Sequence, residues 1–234
     1  MIDTHCHLLP GIDDGSRSDA EALRLARRLV ADGVTTVVCT PHFSERYPTP
    51  VVVAQERHER LRRELDLVGI PLLTELAAEF SAGRALETPV DRLRPRSIGG
   101  RYVLVELVAD TSPGTALELC SRLLPAGFVP VLAHPERSSA VQADPSLLER
   151  AKSEGALVQV VAPSLSGRWG NDVWKTGWHL VESGLADLVA SDAHGVAATS
   201  PQFAAVAALV ETRCGIERRQ ELTELAPRRL LAPS

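Results

Sequence analysis

Met1-Ile2-Asp3-Thr4-His5-Cys6-His7, followed by Leu8-Leu9-Pro10-Gly11-Ile12-Asp13-Asp14-Gly15, opens the chain. The first seven residues alternate as a β-strand does, and side chains two apart on a strand share a face. His5 and His7 therefore project together. The Pro10-Gly11 turn then brings an Asp-Asp-Gly stretch back toward them, so nitrogen and oxygen donors reach one point, as a divalent metal requires. Because the acids are adjacent, the pattern leaves open whether Asp13 or Asp14 is the donor. A lone His-x-His is as often a pair of ordinary half-buried histidines, and the rest of the chain decides between the two.

Working outward, His42 follows the β-branched run Val34 to Thr40, His134 follows Phe128 to Ala133, and Asp192 and His194 follow Leu185 to Ala190. Glu79 and Glu106 end the runs that begin at Leu72 and Tyr102. Candidate ligands thus recur where strands end. His58 falls on the charged face of an amphipathic helix expected over residues 51 to 68, and reads as a solvated surface residue. His179 reads as a packed or surface histidine beside Trp174 and Trp178, whose spacing of four is that of core packing on a helix.

Between the strand-like runs lie helical patterns, beginning with Ala22, Leu23, Leu25, Ala26, Leu29 and Val30 after a Ser18 cap. Others are expected near residues 90 to 93, 115 to 124, 145 to 154, 172 to 183, 201 to 212 and 217 to 225. Alternating strands and helices predict a parallel sheet with crossover helices. With about seven strand units, the expected architecture is α/β, a single-domain distorted TIM-like (β/α)7 barrel over residues 1–234. In such barrels the C-terminal strand ends carry the chemistry, because the loops there vary while the strands hold geometry.

A net charge of −5 argues against a broad phosphate-backbone footprint, so no nucleic-acid partner is expected. Cys6, Cys39, Cys120 and Cys214 have no C-x-x-C spacing, which excludes a zinc ribbon and reads as reduced buried thiols of a cytoplasmic protein. No apolar run is long enough to span a bilayer, so no stable membrane insertion is expected. The sequence leaves the oligomeric state open.

The strand-end set is His5, His7, Asp13 or Asp14, His42, Glu79, Glu106, His134, Asp192 and His194. That is more than the roughly four to six donors one such ion takes, so two or three divalent ions are expected. Mixed imidazole and carboxylate donors suit manganese, iron or zinc, and carboxylate-rich multinuclear sites are mostly hydrolytic.

These stretches, together with Thr40-Pro41-His42, Ala78-Glu79, Val105-Glu106, Ala133-His134-Pro135-Glu136-Arg137, Ser166-Gly167-Arg168-Trp169-Gly170 and Ala190-Ser191-Asp192-Ala193-His194, resemble the motifs of the PHP (polymerase and histidinol phosphatase) superfamily. The whole chain resembles its branch of bacterial metal-dependent protein-tyrosine phosphatases of capsule and exopolysaccharide loci, the CpsB/CapC type. The resemblance implies a PHP fold and three metals, manganese expected. His5, His7, Glu79 and Asp192 would hold the first. Glu79 would bridge to a second, held also by Glu106 and His134, while Asp14, with Asp13 as fallback, joins His42 and His194 on the third. Arg137 would bind phosphate. The implied substrate is a phosphotyrosine protein, with a bacterial tyrosine kinase as possible partner. One departure is that Gly195 follows His194 where the family has asparagine, and Thr199 and Ser200 stand where an arginine is expected. Arg168 is the substitute that loop position offers.

The expected reaction is phosphomonoester hydrolysis by a metal-bound hydroxide, since bound metals lower the pKa of water from about 15.7 to near 7. Asp192 and His194 are the candidate proton donors. Cysteine-based phosphatase chemistry needs an arginine six positions after the nucleophile, and Ile12, Glu45, Ala126 and Gln220 stand there instead. The alternatives are a small-molecule phosphatase such as a histidinol phosphate phosphatase, a nuclease, and a catalytically weakened metal-binding relative.

Overall fold

The computed structural model describes residues 1–107, 112, 114–195 and 203–232. Within them run nine strands: β1 (Ile2–Cys6), β2 (Thr36–Cys39), β3 (His42–Phe43), β4 (Leu73–Leu76), β5 (Glu79–Ser81), β6 (Tyr102–Glu106), β7 (Val129–Ala133), β8 (Leu157–Val161) and β9 (Leu188–Ala190). All the ladders are parallel. Their order is β1-β2-β4 in one sheet and β3-β5-β6-β7-β8-β9 in the other.

The two sheets are one barrel wall with two breaks. Only Thr40 and Pro41 separate β2 from β3, and Ala77 and Ala78 separate β4 from β5. Pro41 has no N–H to give the ladder. Hydrogen bonds from Ala77 N to Cys39 O (2.9 Å) and from Glu79 N to Pro41 O (3.1 Å) carry the pairing across. Counting each broken pair as one strand gives the seven expected. On the far side β9 meets β1 at its tip, where Asp192 N donates to His5 O (2.9 Å) and His7 N to Ala193 O (3.0 Å). The ring is therefore closed at its upper rim rather than by a full ladder, which is the distortion in this distorted (β/α)7 barrel.

Alternation along each strand divides the apolar residues between two clusters. Val103 and Val105 of β6 and Leu132 of β7 pack outward with the helices. Leu104, Val131, Ala133 and Leu188 pack inward with Val38, and Ala226 and Leu230 of the last helix close the barrel floor. Residues of inward parity further up the strands, Glu106 among them, therefore face the upper mouth.

Several boundaries differ from the sequence reading. Helices at Ala82–Glu87, Ser139–Ala143 and Ala162–Leu165 are too short to show periodicity. The expected helix over 217 to 225 continues as a π-turn at Glu221–Leu225 and then Ala226–Leu231, a widening next to Pro227, which lacks the N–H of a regular helix. The helix Phe203–Cys214 matches the one expected from 201, with Pro201 outside the described residues. His58 is not solvated as expected: it is buried under the helix Val51–Leu67 and hydrogen-bonded to Thr74 Oγ1 at 2.9 Å. Its helix packs on β4 more closely than its charge pattern indicates. Cys6, Cys39 and Cys120 are buried, while Cys214 is only partly so. Among the described residues no helix is long and apolar enough to cross a membrane.

The clasp between β1 and β9 rests on a buried carboxylate. Asp3, fully buried, accepts from Ser191 N (2.9 Å), Ser191 Oγ (2.5 Å) and His5 N (3.3 Å). Burial pushes its carboxyl up, and the bonds from Ser191 oppose that. Asp3→Ala would strand these donors, at a cost of about 2–3 kcal/mol. Urea unfolding of the chelator-treated protein should show this loss, and a change below about 0.5 kcal/mol would remove the clasp from the account.

Candidate metal centre

Every sequence-predicted ligand lies at the upper rim. His5 is the penultimate residue of β1 and His7 stands just past its end, while His42 and Glu79 begin β3 and β5 beyond the two breaks. Glu106 ends β6, and His134 and Asp192 follow β7 and β9. Both of the last two adopt a left-handed backbone, φ 37° and 50°, and among the described residues they are the non-glycine positions with positive φ. That conformation costs about 1–3 kcal/mol and persists where surrounding structure forces it, most often at functional sites.

The side chains meet around Glu79, which is buried. Its Oε2 is 3.2 Å from His5 Nε2, 3.3 Å from His7 Nε2 and 3.0 Å from His42 Nδ1, and its Oε1 is 2.8 Å from His134 Nε2. Asp192 Oδ1 approaches His5 Nε2 and His7 Nε2 at 3.4 and 3.5 Å. On the outer side, Asp14 Oδ1 is 3.4 Å from His42 Nε2 and 3.5 Å from His194 Nε2. Four overlapping groups have their donor atoms close enough for one ion each: His5, His7 and Asp192; His5, Glu79 and His134; His42, Glu79 and Glu106; and His7, Asp14, His42 and His194.

Tautomers test whether a cation fits. His5 Nδ1 lies 2.8 Å from Gln159 Oε1, an acceptor whose amide nitrogen donates to Thr4 Oγ1 at 3.0 Å. The proton of a neutral His5 thus sits on Nδ1. His7 Nδ1 likewise donates to Asp13 Oδ2 at 2.7 Å. Both rings then present bare Nε2 lone pairs to each other across 3.2 Å, beside two carboxylate oxygens. Four electron-pair donors converge with no proton to share, an arrangement that a divalent cation satisfies. Glu79 Oε2 is correspondingly buried without a hydrogen-bond partner among the described residues.

In the metal-free chain protons take the cation's place. Burial opposes charge on His5, yet Glu79 and Asp192 hold its pKa up at about 9. Glu79 is buried too, but the histidines around it, His5 foremost, hold it well below the usual carboxylate range. Glu106 is shifted the other way, raised by burial and by the charge of Glu79.

Asp13 and Asp14 divide their work. Asp13 accepts from His7 Nδ1, from Gly15 N (2.9 Å) and from His42 N (3.0 Å), and these bonds, against burial, hold its pKa at about 2. It orients two histidines, while Asp14 faces His42 and His194. The turn needs glycine at position 15, since a Cβ there would lie 2.2 Å from His7 O.

Above the histidines opens a cavity of about 500 Å³, lined by Asp14, His42, Glu79, Glu106, His134, Asp192 and His194 and by Arg46, Tyr47, Arg137, Arg168 and Trp169. Arg137 Nη1 is 3.6 Å from Asp192 Oδ2. Glu136, next to it and fully buried, accepts from Val161 N at 3.1 Å and ties the Arg137 loop to β8. Thr199 and Ser200 lie outside the described residues. His179 is on the surface and Trp178 in the core, as read from their helix. Sequence reasoning missed Gln159, although its inward parity on β8 marks it, and also Arg46 and Tyr47, which follow a strand only two residues long.

The chain matches the family model for capsular polysaccharide synthesis, CpsB/CapC, over residues 1–232. It is 33% identical over 228 residues to the tyrosine-protein phosphatase YwqE of Bacillus subtilis, covering 97% of this chain and 90% of YwqE. Identity to the tyrosine-protein phosphatase CpsB of Streptococcus pneumoniae is 26%, covering 99% of this chain and 98% of that protein. A crystal structure from a study of YwqE and CpsB, described there as unique metal-dependent tyrosine phosphatases, superposes with a TM-score of 0.88 at 31% identity, covering 100% of this chain and 95% of the other. On a match that runs through both halves of the barrel and all of its rim residues, the chain belongs to the CpsB/CapC family.

Proposed function

We propose that this chain is a metal-dependent protein-tyrosine phosphatase that acts on phosphotyrosine in proteins of capsule or exopolysaccharide control, a bacterial tyrosine kinase being the natural partner. The observation that carries the reading is the convergence of His5 and His7 lone pairs with Glu79 and Asp192 below a cavity that also holds Arg137. The names of the relatives support the tyrosine substrate.

His5, His7, Glu79 and Asp192 would hold one ion, Glu79 with Glu106 and His134 a second, and Asp14, His42 and His194 a third, with manganese the expected metal. When bound, such ions acidify water to a nucleophile near neutral pH and draw charge from phosphoryl oxygens. Arg137 offers a planar fork of donors to the phosphate, suited to bidentate hydrogen bonding. Its contact with Asp192 aims it over the site. A tyrosine leaving group, with pKa about 10, needs little help from a proton donor. Asp192 and His194, expected to give it, do not suit that role: against burial, His5 and His7 hold the Asp192 carboxyl far below the usual range, burial and His7 lower the His194 imidazole, and both side chains would be metal ligands. Cys6 takes no part: burial pushes its thiol far up, away from the nucleophilic thiolate.

Chelation should abolish turnover of phosphotyrosine peptides and manganese should restore it. His5→Ala should lose bound metal and turnover together. Arg137→Ala should keep its metal and lose about 10²–10³ in kcat/KM, the usual cost of an electrostatic contact to the reacting group. Bound metal with no peptide turnover in the wild type, measured beside histidinol phosphate, would move the assignment to a small phosphoester or to a weakened relative.

Because His5 holds a proton up to about pH 9 when metal-free, an ion must displace it. Metal affinity should therefore fall as pH falls, with proton release at pH 7 visible by calorimetry in buffers of different ionisation enthalpy. Heat independent of the buffer would contradict this. Gln159→Ala, which frees His5 to turn, should weaken metal binding about 10–100-fold while far-UV dichroism stays unchanged; unaltered affinity would deny Gln159 its orienting role.

A further inference from the structure

Beyond the metal ligands the cavity is built from two walls that share one order. On the first, the Tyr47 ring stacks on His42, with centroids 5.5 Å apart and planes at 10°, and the Arg46 guanidinium lies 5.1 Å from the centre of the Tyr47 ring. On the second, Arg137 is 3.6 Å from Asp192, Trp169 lies under Arg137 at 5.1 Å, and Arg168 stands 5.5 Å from the same indole. Each wall runs from a group at the metal-ligand floor, through an aromatic ring, to a guanidinium. All line the same cavity.

The first wall is held in place. Ser44 N donates to Tyr47 O (3.3 Å) and Tyr47 N to Ser44 Oγ (3.2 Å), closing a tight turn. Within it Glu45 is drawn away to Ser81 Oγ (3.2 Å) and Arg84 Nε (3.3 Å). Arg46 is left toward the cavity, exposed, with no carboxylate partner among the described residues. Opposite, Trp169 stays 45% exposed, a large apolar surface kept uncovered beside the site. A cation held over an aromatic ring and without a counter-ion is a charge available to a ligand.

We infer that Arg46 is a specificity-determining residue, and that the preferred substrate is a phosphotyrosyl peptide carrying an aspartate or glutamate beside the phosphotyrosine. The inference rests on the phosphotyrosine reading above and names the substrate class within it. A phosphotyrosine entering from solvent puts its phosphate at the floor with Arg137 and its ring against Tyr47 and Trp169. The guanidinium of Arg46 then lies one ring beyond the phosphate, too far out to serve the reacting group and at the level of a flanking side chain. The net charge of −5 makes this local positive rim more selective, because acidic peptides find few other favourable surfaces.

The test compares kcat/KM for three phosphotyrosyl peptides of equal length whose neighbouring residues are glutamate, glutamine or lysine, with the manganese-loaded enzyme at low ionic strength. The wild type should favour the glutamate over the glutamine peptide by about three- to fivefold, carried mainly in KM and shrinking with added salt, as a partly screened ion pair predicts. Arg46→Ala should bring the glutamate-to-glutamine ratio close to one, Arg46→Lys should restore part of it, and Arg46→Glu should turn the preference toward the lysine peptide. The ratio cancels any general loss from disturbing the turn. Equal rates for all three peptides in the wild type, or a ratio unmoved by Arg46→Glu, would overturn the inference while leaving the tyrosine phosphatase standing. No turnover of any phosphotyrosyl peptide by the loaded protein would instead remove the phosphatase reading, and this inference with it.

Discussion

The structure depends on bringing lone pairs together that repel one another. Two imidazole Nε2 atoms and two carboxylate oxygens face a common point in a water-poor barrel mouth, and each is locked there by a partner behind it. Such a cluster is costly in the absence of positive charge, whether from protons or from metal. The supporting residues make it tolerable. Gln159 and Asp13 fix the histidine tautomers, Asp3 ties β1 to β9, and His134 and Asp192 accept a left-handed backbone to aim their side chains inward.

Chemistry and fold share this constraint because barrel closure and site assembly are the same contacts. The hydrogen bonds from Asp192 N to His5 O and from His7 N to Ala193 O join the last strand to the first, and three of those four residues are candidate ligands. At the two breaks in the wall, Pro41 and Ala78 immediately precede His42 and Glu79. A regular ladder would hold these side chains in strict alternation, whereas an interrupted one lets them turn toward the mouth.

Much of this was legible in the sequence. A ligand-type residue at the end of six of the seven strand units, Leu157 to Val161 being the exception, is a signal that survives ignorance of exact boundaries, and it placed the ligand candidates on one rim. The seven strand units were legible for the same reason, even though two of them are broken. What was hidden depends on tertiary contact. Gln159 is an unremarkable polar residue until its register beside Ala133 and Leu188 puts it in the barrel interior. The division of labour between Asp13 and Asp14 follows from a turn whose direction adjacent acids do not reveal. His58 was misread because the charged residues next to it, Glu56, Arg57, Glu59 and Arg60, mask the buried face it shares with Ala54 and Leu61, and say nothing of the Thr74 hydroxyl beneath it. Arg46 and Tyr47 lie after a strand too short for any periodic signal.

The Asp3 to Ser191 clasp joins residues 188 positions apart. Parallel pairing at such separation comes late in folding, because loop-closure entropy is spent before the contact returns anything. During synthesis the His5 and His7 strand therefore waits, unpaired on one edge, until nearly the whole barrel has left the ribosome. Metal capture then follows closure rather than nucleating it, and a chain without the ion keeps a closed rim, held by the Asp3 clasp and by the protons on its histidines.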